Sequence, residues 1–550
     1  MSFYQGSPDI IIRNGTIVDG TGGLPYYADV AIVGDKIDYI GSLKDVHAPL
    51  EIDAHHKYVT PGFIDSHSHA DFTIFACPEV PNNIRQGMTT EVVGNCGYSR
   101  RNYLQGIPFD PAGDSVYSVF DCPEEGPYPK GSMAAVLDKM EAMGSSINTA
   151  WLCGHNDLRT IAGVTGPEPT PEQYEIMEGF LKEALEAGFI GLSTGLEFTP
   201  GINAKPEEIE RLAQLVVPYD GNYSTHMRDE GTYILEAINE FLNVIRKTGL
   251  RGTVSHLNVK YDNGIPDDYL FRGMQMLKDA REVEHLNVMC DMLPTCFAPG
   301  SAISITPPWL LENGWENAQK ILADPAERAR VKQDLNRYWR FLGYGGWDRL
   351  LYLQPPYLPE VSVTPFSELV SAAGKEPVDV FLDILAQASS IDEVQAVLML
   401  GVVFREQTMI DSVVTDPIYM WMQDGHPTTE EPGPVRDRAG YMGTYMSFTY
   451  FFSHYVRDLK AIPIELAVQK CTGTPARHYR LEKRGLLQAG CYADINVFNI
   501  HDLKVNATFT DPYRYSSGMD YVIVNGTPVI AKGEPTHIRA GRVLRHLRKQ

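Results

Sequence analysis

The stretch Asn222–Lys260, NYSTHMRDEGTYILEAINEFLNVIRKTGLRGTVSHLNVK, decides the fold. A β-type run ends on His226, and a second ends on His256. Between them Ile234, Leu235, Ile238, Phe241, Leu242 and Ile245 recur at helical spacing and share one face. Strand, amphipathic helix and strand in that order predict a βα unit with parallel pairing. The same alternation runs outward in both directions. KYVTPGFIDSHSH (57–69), TTEVVGNCG (89–97), INTAWLCGHN (147–156), GFIGLSTGLEF (188–198), LNVMCDMLP (286–294) and IYMWMQDG (418–425) are the other strand-like segments. A helix opens on Thr170, Pro171 and Gln173, a capping-box arrangement, and ends at Gly188. Eight such units predict an α/β fold, a (β/α)8 TIM barrel.

The two chain ends read differently. ADVAIVGDKIDYIG near the start, and ADINVFNI with DYVIVNGTPVI near the finish, are short strands around Gly-Asp and Asn-Gly turns. They predict one small discontinuous β-sandwich domain, residues 1–60 and 481–550, flanking a barrel over 61–480. Between the last two barrel strands lies an insertion of about 300–412. It is partly helical and rich in aromatics, as in RYWRFLGYGGWDRLLYLQPPYLP; long insertions are functional lids or disordered segments, and the aromatic content favours a lid.

Composition narrows the function. The formal charge of −23 excludes a nucleic-acid surface and an anionic membrane surface as partners, since both need a basic patch. No apolar run is long enough to span a bilayer, and MSFYQGSPDIII lacks the basic, apolar and cleavage regions of a signal peptide. The eight cysteines form no CxxC pair and read as cytosolic thiols, which predicts a cytoplasmic protein. The oligomeric state is open.

In such a barrel the active site forms at the C-terminal ends of several strands. His67, His69, Cys96, His155, Glu197, His226, His256, Asp291 and Asp424 stand at those ends. His67 and His69 are two apart, so strand alternation points both into the lumen, where imidazoles need partners. An isolated HxH pair is as readily structural; joined by two more strand-end histidines it reads as a divalent metal site. Cys96, His226 and His256 form an N2S donor set with a fourth position open, as catalytic zinc sites keep. Asp424 opposite that set is the candidate general base, although Asp424-Gly425 alone would suit a turn.

GFIDSHSHAD, VVGNCG, GLSTGLEF, YSTHMRDEG, VSHL and GLLQAGCYADINVF resemble the amidohydrolase superfamily, and within it the D-aminoacylase branch of N-acyl-D-amino-acid deacylases. The likeness covers nearly the whole chain, and the cysteine of VVGNCG is its specific mark, since most amidohydrolases use a carboxylated lysine there. The resemblance implies one tight Zn2+ site on Cys96, His226 and His256. It implies a second, weaker site on His67, His69 and Asp424, with Asp424 as base and then acid, and an insertion closing over the substrate. In that branch two tyrosines, a lysine and an arginine hold the free α-carboxylate. Here those positions are Phe198, Leu293, Asn258 and Gly440. Ser301 of the APGS segment is retained, and His155 joins the expected substrate pocket. Lys260, Arg436 or Arg438 could replace the missing cations.

The expectation is therefore a zinc-dependent hydrolase of an amide-type C–N bond in a small N-acyl substrate lacking a free α-carboxylate. The alternatives are an N-acyl-D-amino-acid deacylase proper, a hydrolase of an ester, lactam or carbamate, and a non-catalytic scaffold.

Overall fold

The computed structural model describes residues 4–547 apart from 100–132, 165, 199, 260–264, 303–304, 312–313, 336–341, 343–344, 356–363, 391–392, 395–396, 434 and 437–440. Each strand-like segment of the middle region contributes one strand to a single parallel sheet. In chain order these are β6 (Phe63–Asp65), β7 (Met88–Val93), β8 (Asn148–Gly154), β9 (Gly191–Gly195), β10 (Asn222–His226), β11 (Arg251–Ser255), β12 (Val288–Met292) and β17 (Tyr419–Trp421). Two backbone bonds bring its edges together just past the strand ends. Ser66 N donates to Trp421 O at 3.3 Å, and Asp424 N donates to His67 O at 3.1 Å. The lumen is filled as a TIM barrel requires, by Ile64, Val92, Ala150, Leu152, Met289 and Met420.

The helices between strands form where the sequence places them. Thr170 Oγ1 accepts from Gln173 N at 3.3 Å while Gln173 Oε1 accepts from Thr170 N at 2.9 Å, and Gly188 ends the helix Pro171–Ala187 at φ 108°. The helix Ile234–Thr248 buries Ile234, Ile238, Phe241, Leu242 and Ile245, most of the apolar face read from the sequence.

The chain ends meet in one nine-stranded sheet. β1 (Ile10–Ile17), β2 (Tyr26–Val33), β3 (Lys36–Gly41), β4 (Leu50–Asp53) and β5 (Tyr58–Pro61) come from the start, and β18 (Ile495–Phe498), β19 (Met519–Val524), β20 (Thr527–Ala531) and β21 (Glu534–Pro535) from the finish. β5 pairs antiparallel with β18, which joins the two ends. Ile12, Ile32 and Ile37 share one core with Ile495 and Ile523. The segment 57–69, read as one strand, is two. The chain leaves the end sheet after Pro61 and enters the barrel at Phe63, and β6 stops at Asp65, so His67 and His69 lie on the exit loop rather than on a strand. Gly62 makes the passage, since a Cβ there would lie 2.2 Å from Thr89 Oγ1.

The insertion has its own core. β13 (Phe297–Ser301), β14 (Leu350–Gln354), β15 (Thr364–Pro365) and β16 (Leu398–Val402) form an antiparallel sheet in the order 13-16-14-15. Leu322, Phe366, Phe381 and Leu385 pack beneath it. Phe297, Tyr352 and Leu400 continue onto Tyr441 and Met442, and Tyr441 Oη donates to Gln423 O at 2.7 Å, one residue before Asp424.

Candidate metal centre

Five strand exits, those of β6, β7, β10, β11 and β17, supply the centre. Past β7 the chain turns at Gly94 and Asn95. Asn95 Nδ2 donates to Val92 O at 2.9 Å and to Ser68 O at 3.3 Å, which ties this exit to that of β6. Gly97 packs where a Cβ would lie 2.7 Å from Gly195 N, and it is bonded to Ser193 Oγ. Cys96 is held between these two clamps, buried, at φ 53°. β10 ends on His226 itself. His256 follows β11, its N–H held by Asp291 Oδ1 at 3.0 Å. At the closure of the barrel Asp65 Oδ1 accepts from both His67 N (3.1 Å) and Gln423 N (3.0 Å), so one carboxylate brackets the first and last strand exits.

The donor atoms converge. Cys96 Sγ is 3.9 Å from His226 Nδ1 and 3.7 Å from His256 Nε2, and those two nitrogens are 2.9 Å apart. Ligands held about 2.0–2.3 Å from one tetrahedral ion lie roughly 3–4 Å from each other, so the spacing suits a zinc-type ion. The far nitrogens are already engaged. His226 Nε2 meets Glu197 Oε2 at 3.0 Å, and His256 Nδ1 meets Glu230 Oε1 at 2.8 Å. Each carboxylate fixes the proton on its side of the ring and leaves the inward nitrogen with a lone pair, the arrangement that metal-ligating histidines use. The residues therefore fit the group.

A second group adjoins the first. His67 Nε2 is 3.4 Å from both Cys96 Sγ and Asp424 Oδ1, and His69 Nε2 is 3.3 Å from Asp424 Oδ1. The Nδ1 atoms of both rings are buried with no hydrogen-bond partner among the described residues. His67, His69 and Cys96 thus form a second set of close donors, and the thiol stands at the junction of the two. Burial works against ionising Cys96. The charge of His67 and hydrogen bonds from His226, His256 and His67 overcome it and hold the thiol well below its ordinary range. Burial likewise opposes ionising Asp424, and His69, His67 and His256 hold it below the usual carboxylate range. His256 is pushed the other way: burial disfavours its charge, but Glu230 raises it well above an ordinary imidazole. The centre thus gathers thiolate and carboxylate charge, which a divalent cation would balance while the imidazoles bind it in their neutral form.

The other expected site residues divide. The Phe198 ring lies 4.4 Å from that of His226. Asn258 is buried beside Glu230 and His256. Leu293 packs into the main hydrophobic core. His155 departs from the expectation that it lines the pocket: its Nε2 meets Glu208 Oε1 at 2.7 Å, in a buried ion pair that also takes Arg159. A buried glutamate needs such partners, and it recruits the nearest imidazole. Lys260, Arg438 and Gly440 lie outside the described residues, as does the side chain of Ser301. Arg436 lies over the Tyr513 ring and donates to Glu430 O at 3.3 Å. Glu230 escaped the sequence reading. Its one signal is its place four residues after a strand-end histidine, and nothing local separates it from a solvated Asp-Glu pair.

A parallel eight-stranded barrel with a Cys/His donor set at its strand exits belongs to the class of metal-dependent barrel hydrolases. Residues 50–340 and 362–530 match the amidohydrolase family, and the chain belongs to it. It is a hydrolase of carbon–nitrogen bonds other than peptide bonds. It is 31% identical to a D-aminoacylase of Alcaligenes xylosoxydans xylosoxydans, over 98% of this chain and 97% of that one. It is 29% identical to an N-acyl-D-glutamate deacylase of the same organism, over 98% and 96%. Among solved structures it resembles a D-aminoacylase (28% identity, TM-score 0.77, 98% of this chain and 99% of that one). It also resembles the N-acyl-D-glutamate deacylase of Bordetella bronchiseptica complexed with zinc and a phosphonate mimic of the tetrahedral intermediate (27%, TM-score 0.77, 98% and 100%). Among the described residues no helix is long and apolar enough to cross a membrane.

Proposed function

We propose that this chain is a zinc-dependent hydrolase of N-acyl amides whose substrate lacks a free α-carboxylate. The observation that carries the reading is the convergence of Cys96 Sγ, His226 Nδ1 and His256 Nε2 beside Asp424. Cys96, His226 and His256 would hold the tight ion, and His67, His69 and Asp424 a weaker one, with Cys96 close enough to serve both. Bound zinc supplies Lewis-acid polarisation of the scissile carbonyl and of water. Asp424 takes the proton of the attacking water and returns it to the leaving nitrogen. Glu197 and Glu230 keep His226 and His256 in the tautomers that face inward. The insertion, which packs against Tyr441 next to the Asp424 exit, closes over the substrate. The zinc complex of a relative supports the choice of metal. The described cysteines carry no disulfide, which supports a cytoplasmic setting.

The side-chain charges support a neutral substrate. Glu197, Glu230, Asp291 and Asp424 surround the donors. Among the described guanidiniums, Arg228, two residues after His226, is bonded to Glu240 and to the Ile202 and Ala204 carbonyls, and Arg436 lies over Tyr513. The relatives favour a second reading, an N-acyl-D-amino-acid deacylase proper. One experiment addresses both: strip the metal with a chelator, restore it with zinc, and assay N-acyl-D-amino acids against the matching amides. Hydrolysis should vanish and return, faster on the amides. Faster turnover of the free acids would favour the second reading, and activity indifferent to chelation would remove both.

A further inference from the structure

We propose that Tyr441 is a positioning residue for Asp424: its hydroxyl holds the peptide between Gln423 and Asp424 in the orientation that aims the Asp424 carboxylate at the donor histidines. This rests on the reading of Asp424 as the general base and names the device that places it.

Asp424 follows its strand in the left-handed region, at φ 51°, a conformation that a residue with a side chain keeps only where its surroundings enforce it. The peptide before it is pinned at both ends. Its N–H, on Asp424, donates to His67 O at 3.1 Å. Its carbonyl, on Gln423, accepts from Tyr441 Oη at 2.7 Å, and among the described residues no other group donates to that oxygen. The next peptide is caught as well, with Gly425 O accepting from His69 N at 2.9 Å. With both planes set, Asp424 Oδ1 stands 3.3 Å from His69 Nε2 and 3.4 Å from His67 Nε2.

The backbone has a relaxed alternative, and the hydroxyl opposes it. Turning this peptide over would swing the φ of Asp424 by about half a turn, into the extended region that any residue adopts. The same turn would pull Gln423 O off Tyr441 and the Asp424 N–H off His67, and a buried acceptor that loses its donor is expensive. Tyr441 is itself immobile. It is 3% exposed. Its ring folds back over the start of the helix Met442–Tyr450, where a Cβ at Gly443 would come within 2.4 Å of Tyr441 Cε2. Phe297, Tyr352 and Leu400 of the insertion share its cluster. Gln423 is tied to the same helix through Nε2, which donates to Thr444 O, while its N–H donates to Asp65 Oδ1 at 3.0 Å. The hydroxyl therefore comes from a rigid element and acts on the base through one peptide.

The test is Tyr441→Phe, which removes the oxygen and keeps the ring. With one equivalent of zinc bound, kcat on an N-acyl amide that the wild type cleaves should fall about 10–100-fold with KM little changed, as misplacing a reacting group does. Zinc titration against a competing chelator should show the tight ion unchanged and the second, which uses Asp424, at least about tenfold weaker. The effect must pass through Asp424. In the Asp424→Asn background the same substitution should change the residual rate less than about twofold, because residues acting through one contact are not additive. An equal fractional loss in both backgrounds, as a residue that merely packs would give, overturns the proposal. So does an unchanged kcat together with an unchanged second-zinc affinity. If the variant does not fold, the wild type still decides: hydrogen exchange resolved to single amides should find the Asp424 N–H as protected as those of β17, and loop-like exchange there overturns the proposal. A wild type that cleaves no N-acyl amide overturns the hydrolase reading instead, and the zinc titration and the exchange still judge Tyr441.

Discussion

Cys96, His256 and Asp424 share a backbone conformation that residues with side chains avoid, at φ 53°, 31° and 51°. Such positions cost of order 1–3 kcal/mol each and persist where the surroundings over-determine them. Here the clamps are visible: Asn95 and Gly97 around Cys96, Asp291 on the His256 N–H, and the His67 carbonyl on the Asp424 N–H. The strain turns three side chains from three strand exits onto one point. Two substitutions separate their roles. Cys96→Ala removes the sulfur common to both donor groups, so bound zinc and activity should fall together while the barrel stays folded; a purified variant with full zinc and full rate would reduce Cys96 to packing. Asp424→Asn keeps Cys96, His226 and His256, so zinc in the tight site should remain while turnover drops about 10²–10⁴-fold, as loss of a general acid–base group does. Near-native turnover would leave Asp424 only a turn residue before Gly425.

The helix Ile464–Lys470 is fastened to the segment before β17 by a buried lysine. Lys470 Nζ donates to Asp416 O, and Lys278 pairs with the Asp416 side chain. Burial lowers the Lys470 pKa to about 7, against an opposing pull from Asp416. Between about 7 and the unfolded value of about 10.4 the unfolded chain binds more protons, so this group makes stability rise with pH across that window. Lys470→Met keeps the length, and Asp416 O still accepts from Tyr419 N. Its advantage in melting temperature over the wild type should be greatest near pH 7 and shrink towards pH 10; a constant difference across that range would mean that Lys470 is not held neutral by burial. Other elements needed no tertiary help to be read. The capping box at Thr170 and the apolar face of Ile234–Thr248 are local patterns, and they fold as they read. The same local logic places the HxH pair on a strand, and there it fails, because β6 stops at Asp65, whose carboxylate accepts from the exit backbone.

On the scale of the molecule, both ends of the chain fasten the barrel from outside. β5 and β18 seam the end sheet, and the last residues then run back along β8. Thr149 N donates to Arg542 O at 3.0 Å, Leu544 N to Thr149 O at 2.8 Å, and His546 N to Gly188 O at 2.8 Å. Arg545 adds pairs to Asp138 and Glu141. Ending the chain after Ala540 strips these bonds from groups beside a barrel strand, at about 1 kcal/mol or more apiece. The truncated protein should melt several degrees lower; an unchanged midpoint would show the tail to be a passive extension.

The sequence by itself determined the alternation of strand and helix, the pairing of two β-rich ends around it, and the presence of Cys96, His226, His256, His67, His69 and Asp424 at strand exits. Those features follow from periodicity, capping and residue chemistry, which are local. Only the tertiary structure decided that Cys96 stands between two donor groups, that His155 is spent on Glu208 and Arg159, and that Glu230 holds both His256 and Asn258. Each of these depends on which exits are neighbours around a closed barrel and on how buried charges are partnered there. Burial raises the cost of an unpaired carboxylate so far that the partner is chosen by proximity in space, which the linear spacing of the residues does not record.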